Sequence, residues 1–238
     1  MADDYTQAYT ALGAEPPPPP PRPPFFHRLW MVFLQPGEMF GALSLNPAWF
    51  PIAIVAALIG AGAMSMLPPE LFMDAAIDRL PPEQVEETAA QFEQVPVIVF
   101  KGSAVGVVLL FSLLFPVVLG AITYLIFVFV RGDSSTYRQH ICVLAHTGII
   151  TAVGTVLNVF VQLRSGDLTR TLAVGTFFPF LPDGYLIEFL RALDLFQLWA
   201  AVVAGIGLAA ADPGRKTGST AAVLIGLVVV IALIRAAF

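Results

Sequence analysis

The sequence predicts an all-α membrane protein: a bundle of five transmembrane helices with an N-terminal interfacial helix. Three observations predict it. The 238 residues are 57% hydrophobic and 12% charged, with a mean hydropathy of +0.80, whereas soluble domains carry about 25% charged residues. Apolar runs recur at about the 20 residues a helix needs to cross roughly 30 Å of hydrocarbon. Seven acids against one arginine in a single stretch between two such runs account for the net charge of −5, leaving the rest nearly neutral.

The N-terminal arm, residues 1–24, ends in Glu15 followed by six prolines, Arg22, Pro23 and Pro24. Proline fixes φ and lacks an N–H, so this stretch is predicted to be a disordered cytoplasmic arm with polyproline II character. It reads first as a stiff spacer and second as a docking site for a proline-binding partner. The first apolar run starts near Ala48, beyond the reach of a cleavable signal peptide, so the arm is expected to stay attached. Residues 25–46, FFHRLWMVFLQPGEMFGALSLN, load Phe25, Phe26, Leu29, Trp30, Val32 and Phe33 beside His27 and Arg28. That composition suits an amphipathic segment lying in the membrane interface, where an indole has one apolar and one hydrogen-bonding end.

Residues 47–238 are predicted to form the five-helix transmembrane domain, with spans at about 48–67, 103–130, 140–163, 189–211 and 219–238. The first is rich in Ala56, Ala57, Gly60, Ala61, Gly62 and Ala63, which let a neighbour approach closely, and Pro68 and Pro69 end it. Residues 70–94 carry seven acids against Arg79 and read as an acidic, amphipathic hairpin outside the membrane. The run Pro96–Val130 is too long for one perpendicular span, because about 35 helical residues reach roughly 52 Å. Lys101 is expected at the interface, and Pro116 is the candidate kink. The tight connection Arg131–Arg138 makes spans two and three an antiparallel pair. Residues 164–188, with the cluster Phe177–Tyr185, read as a loop resting on the membrane, a re-entrant segment being the second reading. Gly218, Ala222 and Gly226 recur every four residues and nominate a helix-packing face on span five.

Arg22, Arg28, Arg131, Arg138, Arg215 and Lys216 outnumber Arg79, Arg164 and Arg170 on the alternating side. The positive-inside rule therefore places the N-terminus in the cytoplasm and the C-terminus outside a bacterial inner (plasma) membrane.

Polar residues within spans are costly in hydrocarbon and are the natural candidates for chemistry. Asp194 reads as a helix-start ion pair with Arg191 at i−3, with a cation or partner contact as its functional alternative. Asn158 and Gln162, one turn apart, read as hydrogen-bonding glue to another helix before substrate ligands. His140 and His146 are six residues apart, which does not put two ligands on one helix face. HExxH, GxSxG, glycine-rich phosphate loops and paired intramembrane carboxylates do not occur, and Cys142 is the lone cysteine. No catalytic, cofactor-binding or metal-ligating residue is nominated, and no enzyme activity is expected. Without a basic patch, nucleic acid is not an expected partner.

Distributed segments resemble the bacterial branch of the Yip1 domain family. They are Phe33–Phe40 (FLQPGEMF) before the first span, Tyr137-Arg138-Gln139 leading into Val143-Leu144-Ala145-His146, and Leu193–Trp199 (LDLFQLW) followed by Gly205–Leu208. The resemblance implies a five-helix membrane domain with a cytoplasmic N-terminus. In eukaryotic members it implies traffic functions through small GTPases and partner membrane proteins. Their Asp-Leu-Tyr-Gly-Pro signature is absent here, so GTPase binding does not carry over; bacterial relatives look like accessory or scaffold proteins. The function expected is thus a non-enzymatic scaffold or accessory protein that packs against other membrane proteins or itself. The alternative is a transporter, channel or lipid-handling protein with a groove between spans two, three and four. Pro116, Asn158, Gln162, Asp194 and Trp199 are the candidate partner or groove contacts.

Overall fold

A computed structural model of the protein describes residues 21–77, 80–212 and 214–237. The arm predicted over 1–24 lies outside the described residues up to Pro20. At its end Pro24 is extended, with φ −53° and ψ 148°, as proline requires.

Ten α-helices occur among the described residues. The predicted interfacial segment is two helices, α1 (Phe25–Leu34) and α2 (Pro36–Leu45). They are divided at Gln35 because a residue before proline avoids the helical region, while Pro36 is well suited to the first helical position. Next come α3 (Phe50–Ser65), α4 (Pro69–Ile77) and α5 (Pro82–Glu93). The acidic stretch is therefore helical on both sides of Leu80, and α4 is bent 79° from α3 across the diproline.

The long apolar run forms α6 (Val97–Tyr124), which continues as π-helix over Leu125–Val130. Its 34 residues begin earlier than the predicted Ser103, and they include Lys101, whose Nζ donates to the Ser65 carbonyl at 3.4 Å. Pro116 lies inside α6. After a short turn comes α7 (Tyr137–Ser165), then a loop with a 3₁₀ turn over Val174–Phe177 and the short α8 (Tyr185–Ala192). The chain ends in α9 (Leu195–Ala211) and α10 (Thr217–Arg235).

The fourth predicted span, 189–211, is not one helix. It breaks at Leu193–Asp194, where Ala173 and Asp194 form an isolated antiparallel bridge, and α9 has 17 residues. By length and composition three helices suffice to cross a membrane, α6 with its π extension, α7 and α10, or four if the bent α3–α4 pair counts as one. Length alone thus falls short of the five predicted.

The chain divides into two compact units. The first runs up to Ala53 and takes Phe115–Ile149 and Ala200–Gly226; the second takes Ile54–Leu114, Ile150–Trp199 and Leu227–Phe238. In the first, Val32, Met39, Phe40, Leu43, Ile52, Phe127, Ile150's neighbour Ile149 and Leu208 are buried. Close packing there depends on small residues. A Cβ on Gly205 of α9 would fall 2.5 Å from the Ala221 Cα of α10, and one on Gly207 would fall 2.7 Å from the Val143 side chain of α7. In the second unit Ala63, Leu67 and Val159 form a small core against which Leu71, Phe72 and Leu168 pack, and Phe100 of α6 meets both Phe72 and Phe92.

The nominated stripe on span five is not the face used within the chain. Nothing lies within 4 Å of a Cβ on Gly218 or Gly226, and Ala222 is exposed. The contact with α9 is made instead by Ala221, opposite Gly205, and Thr220 and Leu224 of α10 are buried. Gly205→Leu should therefore cost about 1–3 kcal/mol by overpacking, read as a lower unfolding midpoint in detergent. Gly218→Leu should stay within about 0.5 kcal/mol of the wild type in the same measurement.

Candidate functional site: two polar clusters

The first cluster lies in the first unit, where the connection from α6 to α7 meets the connection from α9 to α10. Gly132 opens the first turn with φ +75°, a left-handed conformation that glycine adopts without strain. Thr136 and Gln139 then begin α7 with a reciprocal capping box: the Thr136 N–H donates to Gln139 Oε1 at 2.6 Å and the Gln139 N–H to Thr136 Oγ1 at 3.4 Å. Gln139 also donates from Nε2 to the Ser44 carbonyl at 2.8 Å, tying α7 to the end of α2.

One residue further on, His140 is fully buried. Its Nδ1 lies 3.0 Å from Thr123 Oγ1 and its Nε2 2.9 Å from Ser135 Oγ. The Thr123 hydroxyl donates its proton to the Gly120 carbonyl at 3.1 Å, so toward the ring it must accept. That makes Nδ1 the protonated nitrogen and Nε2 the acceptor of the Ser135 proton, and a neutral imidazole satisfies every partner. Tyr124 stands edge-on to the ring at 5.7 Å, and the buried Phe127 lies 6.1 Å away.

Phe127 belongs to the π-helical segment, and its other neighbours are charged. The Arg215 guanidinium lies 4.8 Å from its centroid and that of Arg131 5.5 Å. Arg215 forms an ion pair with Asp133, whose side chain is 4% exposed against 7% for Arg215. Asp212 completes the junction: Oδ2 accepts from the Ser134 N–H at 2.9 Å and Oδ1 from the Gly214 N–H at 2.9 Å. The links of this cluster join the two turns to one another and to the helices, and α7 to α6 and α2.

The second cluster lies in the second unit and contains three of the residues nominated from sequence. Asp194 Oδ1 accepts from the Phe196 and Gln197 N–H groups at 2.8 and 2.9 Å, which makes it the N-cap of α9. Its Oδ2 accepts from Asn158 Nδ2 at 3.0 Å, and Asn158 Oδ1 accepts from the Leu172 N–H at 2.7 Å. Gln162 donates to the Leu168 carbonyl at 2.9 Å. Asn158 and Gln162 do share a face, but they bind the 166–174 loop and the cap of α9 rather than the side of a neighbouring helix.

The ion pair of Asp194 with Arg191 does not form. Arg191 instead pairs with Glu188 at 2.6 Å and approaches Asp183 at 3.9 Å, because the break after Ala192 removes the helical i−3 relation. A Cβ on Gly154 would fall 2.5 Å from the Phe196 Cβ, so the start of α9 sits tightly on α7. Trp199 is 40% exposed, with the Phe196 ring 6.2 Å away. Pro116 belongs to the first unit, apart in membership from the other four nominees. Sequence reasoning missed the first cluster, although Thr136-x-x-Gln139 carries the capping signature. Among the described residues no three His, Cys, Asp or Glu gather as a metal site.

These features define a polytopic helical membrane protein whose polar groups fasten turns and helices to one another. The Yip1 domain matches residues 30–237, and the chain belongs to the Yip1 domain family. It is similar to the membrane protein YknW of Bacillus subtilis (strain 168), 27% identical over 220 residues that cover 86% of this chain and 88% of YknW. No solved structure matches.

Breaking one partner of a buried ion pair leaves the other charge uncompensated, so Asp133→Ala or Arg215→Ala alone should cost about 3–5 kcal/mol. The double variant should cost less than the sum of the two, as measured by unfolding in mixed micelles. In the second unit Asp194→Asn should keep the cap and lose little, whereas Asp194→Leu should cost about 1–3 kcal/mol by the same assay.

Proposed function

We propose that this chain is a non-enzymatic scaffold or accessory protein of a bacterial inner membrane, acting through helix packing and partner binding, in support of membrane transport or trafficking. One observation carries the reading: the polar atoms of Thr123, Ser135, His140, Asn158 and Asp194 are engaged in holding chain segments to one another. Meanwhile α6 and α10 leave most of their apolar surface unburied. Unburied apolar helices with small-residue stripes suit lipid and partner helices.

Five crossings with the N-terminus inside remain the topology of this proposal. The N-terminal helices, the 131–136 turn and the 212–216 turn all belong to one unit, and the 66–96 and 166–184 connections to the other. Helices α3, α6, α7, α9 and α10 each divide between the two. A phosphatase fused after Phe238 should be active outside the cytoplasm, and one fused at Asp133 inactive; the opposite pattern would invert the orientation.

The alternative, a transporter, channel or lipid-handling groove, draws support from the 3.0 Å approach of Asn158 to Asp194. Crosslinking in native membranes followed by mass analysis in mild detergent separates the two. A scaffold should be recovered with a partner membrane protein or a second copy. Reproducible recovery of a lone monomer would count against it.

A further inference from the structure

Arg28 is a buried cation with no anion beside it among the described residues. It is 8% exposed, and α1 turns it inward with Met31 and Val32. Its Nη1 donates to the Ala48 carbonyl at 3.4 Å and lies 3.5 Å from His146 Nε2, and the guanidinium stands 5.4 Å from the Phe25 centroid. His146 Nδ1 is held at 2.7 Å from the Cys142 carbonyl, which makes Nδ1 the protonated nitrogen and Nε2 an acceptor. None of these neighbours carries a negative charge. Nε is buried with no partner among the described residues. A guanidinium so enclosed is costly unless a counter-charge reaches it, and Arg22, six residues earlier in the chain, only adds positive potential.

The opposite face of the same helix indicates which anion is at hand. Phe26, Trp30 and Leu34 follow one another every four residues and are 76%, 70% and 75% exposed. A helix with such a stripe rests at the boundary of acyl chains and headgroups. At that depth the abundant anion is phosphate, whose oxygens match the planar fork of arginine better than the point charge of lysine. We propose that Arg28, beside His146 and the Ala48 carbonyl, holds the phosphate of a membrane phospholipid, with α1 as the platform on which the lipid lies.

The test uses the full chain extracted in a mild uncharged detergent, with retained lipid counted by native mass spectrometry and stability followed as phosphatidylglycerol is added. The wild type should retain phospholipid and gain stability, and Arg28→Met should weaken retention tenfold or more. Arg28→Lys should fall between, and it decides the matter if Arg28→Met does not fold. His27→Gln should behave as wild type. Equal retention in the Arg28 variants would overturn the proposal. So would equal stabilisation by diacylglycerol, which would leave only the apolar stripe, or by inorganic phosphate, which would point to a free anion.

Discussion

In a chain whose surroundings are largely hydrocarbon, an unpaired polar group costs several kcal/mol because no water is present to satisfy it. His140 shows how much structure this constraint organises. Its two ring nitrogens need one donor and one acceptor, and these come from Thr123 on α6 and Ser135 in the turn. Once the ring is fixed, Tyr124 and Phe127 have a wall to pack on. Phe127 in turn presents its π-face to Arg215, whose charge is balanced by Asp133. Arg215 belongs to the α9–α10 connection, so the chain of dependence reaches from α7 to a turn some 75 residues away in sequence.

The π-helical segment fits into this sequence of dependence. Six residues of wider helix, Leu125–Val130, precede the turn, and single-turn π elements often mark places where a helix must re-aim a side chain. Here the Phe127 carbonyl accepts the Asp133 N–H at 3.0 Å, closing the turn back on the segment. The same residue therefore packs under the histidine, faces the arginine and anchors the backbone of the aspartate that pairs with it.

What the sequence made legible was whatever depends on hydropathy and local punctuation. The apolar runs became α3, α6, α7, α9 and α10, the diproline ended α3, and residues 33–40, 137–146 and 193–208 carried the family likeness that the domain match bears out. What it hid depends on partners far along the chain. Asp194 sits in an apolar stretch whose periodicity runs on from Phe189; its capping bonds to the Phe196 and Gln197 N–H groups are local, whereas its tie to Asn158, 36 residues earlier, is not. The two histidines, six residues apart on α7, turn to different partners. Their real partners, Thr123 and Ser135 for one and Arg28 for the other, are visible to no helical period. The Thr136–Gln139 box was local and readable; a search directed at intramembrane charges passes over it.

The second cluster bears on the choice between a scaffold and a groove. A substrate ligand must have a donor or acceptor to spare when the substrate arrives, or must break an existing bond to make the new one. Both Asp194 oxygens accept, one from the backbone of α9 and one from Asn158, while Asn158 Oδ1 already takes the Leu172 N–H. Binding a substrate there would mean releasing the cap of α9 and the 166–174 loop together. Arg28 stands in the contrary position, with a buried Nε that has no partner among the described residues. By that measure Asn158 and Asp194 already spend bonds on holding the chain together, whereas a buried donor on the inward face of α1 is left over.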